Sequence, residues 1–420
     1  MTGGNSTPME SVEDFRLRAR AWLAGNLPPE CDGVGRRTEP GRWDIERGLQ
    51  RKLWDGRFAG ICFPTEYGGL GLTPEHQTAF TEESYPYDMP SALNVPTLGI
   101  LAATLLDFGT DEQKARYLPK ILSGEELWVQ FLSEPSGGSD LAGCLTRADR
   151  DGDVFVLNGS KIWSSGAADA DYAMILARTN WDVPKHRGLT MFIMKIHQTG
   201  VTVEQIRQVD GSMEFCQEFF DDVPLAVTDV VGEIDDGWTV ATRLLVHERL
   251  AVGGGSPYTS GRSGGHDLDD EDNPLVDVVR TQGREGDTHV RQLVAEAYVR
   301  KTVHRQLNTR LTQAMATGAM PPPAGSLMKL FAATNSMRRA EIGLELSGPD
   351  AVVWPLGGEL PTAAQLGDYT LWRQGLSLGG GSNEIQRNII SERLLGMPRE
   401  MAADRDVPYR DVPRGGASRG

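Results

Sequence analysis

Cysteine is scarce in this chain. Four residues in 420 are cysteine (Cys31, Cys62, Cys144 and Cys216), and no two of them share a paired spacing. That excludes a disulfide framework and the usual thiolate metal sites, and it fits free thiols in a reducing compartment. The seven histidines show no metal-ligand spacing either, so no metal is expected. Basic residues are outnumbered, 42 Lys and Arg against 58 Asp and Glu, for a net charge of −16. A nucleic acid would be repelled. Long apolar runs are also missing: Val95–Leu106, the longest, is broken by proline and glycine and is too short to span a bilayer. No membrane partner is expected. The N-terminal MTGGNSTPMES has neither a basic region nor an apolar core, so no signal peptide is expected and a cytoplasmic location is the default.

What remains is a chain of ordinary composition, 39% hydrophobic, long enough for about two or three domains. Residues 1–125 read as a helical domain. Ser11-Val-Glu-Asp14 is a capping pattern followed by an apolar stripe of Phe15, Ala19, Trp22 and Leu23. Thr73-Pro74 opens another helix, and Thr110–Gln113 is a second capping box. Residues 126–235 read as a β-domain, with Tyr172–Arg178 and Leu189–Ile196 as strands. Residues 236–400 return to long amphipathic helices, Thr239–Val252, Val290–Thr317 and Gly325–Glu345, and 401–420 form a charged tail. Gly253–Asn273 is Gly/Ser/Asp-rich, which suggests a mobile loop.

The most informative stretch is Gln130–Asp140, QFLSEPSGGSD, followed by Asp151–Ser165, DGDVFVLNGSKIWSS. Small residues and hydroxyls in the first segment let a backbone pass close to a planar or phosphorylated ligand. The second reads as a β-hairpin: Val154–Leu157 out, Asn158-Gly159 as a tight turn, Lys161–Ser165 back. A Gly/Ser loop before an ordinary hairpin fits the same composition.

SEPSGGSD followed by GDVFVLNGSKIWSS resembles the flavin-binding signature of the acyl-CoA dehydrogenase family. FPTEYGG at Phe63–Gly69, FGTDEQKARYLPKILSG at Phe108–Gly124, FFDDVPLAVTDVVGEIDDGW at Phe219–Trp238 and GGGSNEIQRNIISERLL at Gly379–Leu395 are similar to further family segments. The resemblance implies an α+β multidomain fold, with an N-terminal helical domain, a central antiparallel β-barrel and a C-terminal four-helix bundle. It implies FAD as cofactor. Gln130, Leu132, Ser133, Gly138, Ser139, Trp163, Ser165, Ser382 and Glu384 would bind it, with Trp163 stacked on the ring. Implied partners are an acyl-CoA substrate, an electron-transfer flavoprotein or equivalent acceptor, and either further copies or a related subunit.

The family reaction removes the α-proton of an acyl-CoA thioester and passes the β-hydrogen as hydride to flavin N5. A carboxylate base and donors at the thioester oxygen are required. Many members carry the base within the closing motif, but Gly380 holds that position here and can offer only its backbone N–H. Other members place the base on the first C-terminal helix before an arginine, where this chain has Glu248-Arg249. The residues point the same way: Trp238, Ala241, Leu244, Leu245, Glu248, Ala251 and Val252 fall on one stripe at helical spacing. A glutamate there is expected on a buried face, as a base or as half of a structural ion pair. Ser139, Arg249 and Gly379 are the implied substrate contacts. Gly379 and Gly380 either make room for a bulky acyl group or simply relax a turn.

Two departures are evident. The arginine segment by which homotetrameric members reach a neighbour's FAD is replaced by VVRTQGREGDTHVRQ, and the diphosphate-binding stretch reads Glu345-Leu-Ser-Gly348-Pro349. A glutamate facing a diphosphate is repulsive. Alternatives therefore stay open: a non-catalytic or half-site subunit of a heteromer, or a flavin oxidase or monooxygenase, which rapid reoxidation by oxygen would reveal.

Overall fold

The computed structural model describes residues 9–29, 41–252, 255–262, 273–355, 360–402 and 404–413. The described chain divides into two compact units, one of 1–207, 213–264 and 402–420, the other of 208–212 and 265–401.

The first unit opens with α1 (Val12–Asn26), where the Ser11 hydroxyl accepts the Asp14 amide and Phe15, Ala19 and Leu23 are buried. Next come α2 (Arg42–Asp55) and α3 (Pro74–Ser84), the latter boxed by Thr73 and His76. A three-residue α4 (Ser91–Leu93) runs into a π-helical stretch, Asn94–Ala102, and then α5 (Ala103–Phe108). Pro96 has no N–H to give, which favours a departure from regular α-helical bonding in this stretch. Ser91–Phe108 is apolar enough to cross a membrane by length and composition, but 61% of it is buried inside the protein, as in a core helix. The Thr110–Gln113 box opens α6 (Asp111–Leu122).

The sheet follows: β1 (Trp128–Phe131), β2 (Arg147–Asp151), β3 (Val154–Ser165), β4 (Tyr172–Arg178), β5 (Leu189–Lys195), β6 (Val201–Gln205), β7 (Phe215–Ala226) and β8 (Val230–Val231). The order is β6-β7-β3-β2-β4-β5-β8, with β1 on β4. Pairing is antiparallel except where β4 meets β1 and β2.

The expected hairpin at Asn158-Gly159 is overturned. β3 is one continuous strand through these residues, and they lie opposite a bulge in β7, which carries the extra residue between Val223 and Phe220. The hairpin turn lies earlier, between β2 and β3 at Gly152, whose φ is +61°. Asn158 spends both ends of its amide on Asp222 across the sheet, while Gly159 (φ +144°) passes so close to Thr146 that a Cβ would lie 2.7 Å from its Cα. The bulged residues are Asp221 and Asp222 of β7, the latter with a φ of +51°.

α7 (Gly237–Val252) completes this unit. Within 253–273, residues 253–254 and 263–272 lie outside the described residues. The described 255–262 are packed, not loose: Tyr258 meets Phe63, Ser260 receives a bond from Gln50, and the Ser260 amide donates to Asn94 Oδ1. The second unit contains α8 (Pro274–Thr281), α9 (Thr288–Ala316), α10 (Gly325–Ser347), α11 (Thr362–Leu378) and α12 (Asn383–Ile389), with a small core around Leu275, Val290, Ile342 and Leu346.

The tail folds back on the β4–β5 connection. The Arg178 guanidinium, fully buried, lies 3.7 Å from the Tyr409 ring centroid and donates to the carbonyls of Ala142 and Cys144. The Tyr409 hydroxyl donates to Gly143 O, and Lys185 bridges Asp140 and Asp404. The tail thus fastens the loop that follows Ser139.

Candidate functional site

The loop leaving β1 rests on a buried ion pair. Lys161 Nζ, with no exposed surface, lies 2.9 Å from Glu134 Oε1 and 3.0 Å from Leu132 O. Glu134 also accepts from the amides of Leu145 and Thr146 and from the Cys144 thiol. Burial by itself would raise the Glu134 carboxyl; Lys161 and these hydrogen bonds outweigh it and hold it down at about 2. Burial likewise pushes the Cys144 thiol up to about 11, so it stays a thiol. With Glu134 locked beneath, Ser136–Ser139 project outward and are exposed, while Ser133 is half-buried. Leu132 is buried.

The Ser133 carbonyl accepts the Ile162 amide at 2.9 Å, which ties this loop to β3. One residue on, β3 itself bulges between Ile162 and Ser164. Trp163 there has a φ of +67° and leaves 56% of its surface exposed, touching Phe215 only edge-on. A bulky side chain in left-handed backbone costs on the order of 1–3 kcal/mol, and such strain concentrates at ligand sites. Ser165 ends the strand, exposed. Beneath them Ser164 donates to Glu218, whose carboxyl is pushed up to about 8 by burial and is therefore mostly protonated near neutral pH.

Glu248 sits near the end of α7. Ala241, Leu244 and Ala251 of the stripe are buried, Trp238, Leu245 and Glu248 half-buried, and Val252 exposed. Gln130 Nε2 donates to Glu248 Oε2 at 2.8 Å. Two devices fix the helix. Asp107 Oδ2 on α5 accepts from Arg243 Nε at 2.6 Å and from His247 Nε2 at 2.9 Å. Gly99 in the π-helical stretch has no side chain, and a Cβ there would come within 2.7 Å of Ala251 Cβ. The same stretch is bonded to β1, since Thr97 Oγ1 donates to Trp128 O and accepts from Trp128 N. Gln130 and Glu248 are thus carried by elements locked to one another. Arg249 is exposed on the same helix.

In the second unit the closing motif is a tight corner. Gly379 ends α11 in extended backbone, whereas Gly380 and Gly381 have φ of +67° and +86°. The buried Gln386 donates to the carbonyls of both Gly380 and Gly381, which fixes their peptide planes. Ser382 caps α12 through the Ile385 amide, and Glu384 is exposed in an ion pair with Arg387. Glu345 pairs with His289 at 2.7 Å.

These residues fit the ring end of an FAD. A strained, outward-facing indole and an exposed Ser/Gly loop bonded to its strand both suit a planar, polar-edged ring. Glu345 adds negative charge and does not suit a diphosphate. Sequence reasoning found Gln130 and Glu248 separately but missed their contact, and it passed over Lys161 and Glu134. Lys161 carried a usable signal: it shares its parity along β3 with Phe155 and Leu157, both buried, so it was due to point inward.

Comparison with known proteins agrees with the architecture. The chain matches the acyl-CoA dehydrogenase N-terminal domain over residues 9–125, the middle domain over 130–223 and the C-terminal domain over 235–395. It is 35% identical over 401 residues to the acyl-CoA dehydrogenase IpdE1 of Mycobacterium tuberculosis, covering 93% of this chain and 99% of the relative. IpdE1 of Mycolicibacterium smegmatis is 34% identical, covering 94% and 100%. Among solved structures, the steroid ACAD Tcur3481-Tcur3483 has a TM-score of 0.75 at 29% identity over 93% of this chain and 99% of that one. The ChsE4-ChsE5 complex from Mycobacterium tuberculosis gives 0.68 at 26% identity, over 94% and 100%. Three domains matched in order, together with relatives of this identity along nearly the whole chain, make it a member of the acyl-CoA dehydrogenase family.

Proposed function

We propose that this chain carries out FAD-dependent α,β-dehydrogenation of a bulky acyl-CoA thioester, with Glu248 as the base. The observation that carries the reading is the 2.8 Å bond between Glu248 and Gln130, because Gln130 opens the very segment that resembles the flavin signature. Glu248 takes the proton from the substrate α-carbon, and the C–H electron pair stays on the thioester. By the resemblance, the Gly380 N–H would donate to the thioester oxygen, where charge develops as that proton leaves. By the resemblance, Ser133, Gly138, Ser139, Trp163 and Ser165 would hold the isoalloxazine ring, with Leu132, Gln130, Ser382 and Glu384 as further cofactor contacts. FAD, when bound, would supply the oxidant, an acceptor for the β-hydrogen as hydride.

Room for a bulky acyl group is supported by Gly379. Its φ of −64° suits any residue, and a Cβ there would meet only Gly375 O, at 3.4 Å. The backbone therefore gives no reason for glycine at this position, unlike at Gly380. The name of the steroid ACAD suggests the class: a steroid-derived acyl-CoA, with Ser139 and Arg249 among its contacts.

A heteromeric assembly is favoured by Glu345 and Pro349 in the place of the diphosphate stretch, and two similar structures are themselves named as pairs. A related subunit completes the FAD site, and an electron-transfer flavoprotein or equivalent acceptor reoxidises it. The test is the visible spectrum of the purified flavoprotein, with any subunit that copurifies, before and after anaerobic addition of straight-chain, branched and steroid-derived acyl-CoAs. Bleaching of a flavin band, strongest with the bulky thioesters, is expected. A flavin that only straight chains reduce contradicts the substrate class, and one that oxygen reoxidises within a turnover contradicts the dehydrogenase reading.

A further inference from the structure

We propose that Gln130 is a positioning residue that serves Glu248 in both of its protonation states. The inference rests on Glu248 being the base. Gln130 is the third residue of β1, and its side chain is half-buried. A carboxylate can only accept, so the 2.8 Å contact requires that Nε2 be the amide atom facing Glu248. The amide oxygen then points elsewhere, buried and without a hydrogen-bond partner in the protein. An unsatisfied buried acceptor is costly and calls for a reason.

The reaction supplies one. When the proton leaves the substrate α-carbon for Glu248, the carboxyl gains an O–H and can donate. The ionised-state contact, N–H to O⁻, then suits only one of its oxygens. A half-turn about the last side-chain torsion of Gln130 brings Oε1 to the new O–H and satisfies the acceptor that had none. Glutamine can do this because its two ends have the same size and opposite hydrogen-bonding sense. Glutamate and methionine of similar length cannot. On the same helix, Arg243 and His247 both donate to Asp107.

The test uses the purified flavoprotein, with any subunit that copurifies. Its probe is a 3-thia-acyl-CoA of the class that bleaches the wild-type flavin. Sulfur at the β-position blocks hydride loss, so proton removal is read alone, as α-hydrogen exchange into D2O by NMR. For Gln130→Met we expect exchange to slow by about 10- to 100-fold, in the range typical of a general-base contribution. With rates expressed per bound flavin, KM should stay within about threefold of wild type, and Gln130→Asn should recover part of the rate. Gln130→Glu, which keeps length and polarity, should also be slow, and it serves if the methionine variant folds poorly. Exchange at the wild-type rate in Gln130→Met or Gln130→Glu, while Glu248→Gln is silent, overturns the role of Gln130 alone. Exchange retained in Glu248→Gln overturns the base assignment and this inference with it.

Discussion

Lys161 and Glu134 form an ion pair at 2.9 Å with side chains 0% and 5% exposed, directly beneath the loop that carries Ser133 to Ser139. Removing one partner leaves a buried charge uncompensated. Lys161→Met should lower stability by about 3–5 kcal/mol, the usual range for such a break. The double variant Lys161→Met/Glu134→Gln should recover part of that. Denaturant midpoints of the three proteins check it; equal midpoints for wild type and Lys161→Met contradict it. The pH sign follows from the depressed Glu134 carboxyl. Its contribution is present above its unfolded value near 4.5 and is lost as pH falls toward about 2.

Glu218 behaves in the opposite sense. Its folded carboxyl titrates near 8, above its unfolded value, so the folded state holds an extra proton between about 4.5 and 8. Stability from this group therefore declines as pH rises through that window. Glu218→Gln keeps an acceptor for Ser164 and carries no charge. The difference in melting temperature, variant minus wild type, should be more positive at pH 9 than at pH 5. A difference that does not change with pH contradicts the buried-acid description.

Gly99 lets the last turn of α7 approach the π-helical stretch, since a Cβ there would meet Ala251 Cβ at 2.7 Å. Gly99→Val should shift that turn, and Glu248 with it. Turnover should fall at least tenfold while the flavin band is retained, because misplacing a catalytic group by about 1 Å can cost a hundredfold. Unchanged turnover in a folded Gly99→Val variant contradicts the positioning argument.

The tail is a strap in this structure, with Tyr409 stacked on Trp181 and bonded to Gly143 O. Truncation after Met401 should increase amide hydrogen exchange across residues 141–145, and Tyr409→Phe should do so more weakly. Protection that matches the full chain means the tail does not hold the loop.

What the sequence disclosed was local. The caps at Ser11, Thr73 and Thr110 were legible because each is decided within four residues. The strands at Tyr172 and Leu189 were legible from composition. Asn158-Gly159 was misread because the dipeptide suits a tight turn, whereas here it lies within a strand opposite a bulge in β7, and only that partner strand, through Asp222, shows it. Glu248 was legible as a polar residue on an apolar stripe, but its contact with Gln130 spans 118 positions, and that of Tyr409 with Gly143 spans 266. No pattern within one segment encodes such contacts.

The central claim, that Glu248 is the base, is tested most directly by anaerobic reduction of the flavin in Glu248→Gln beside wild type, with the same acyl-CoA. Glutamine fills the same volume and can still meet Gln130, but it cannot take the proton. The account predicts a variant that keeps its flavin band and binds the thioester yet does not bleach. Bleaching at a rate near that of wild type would place the base elsewhere and contradict it.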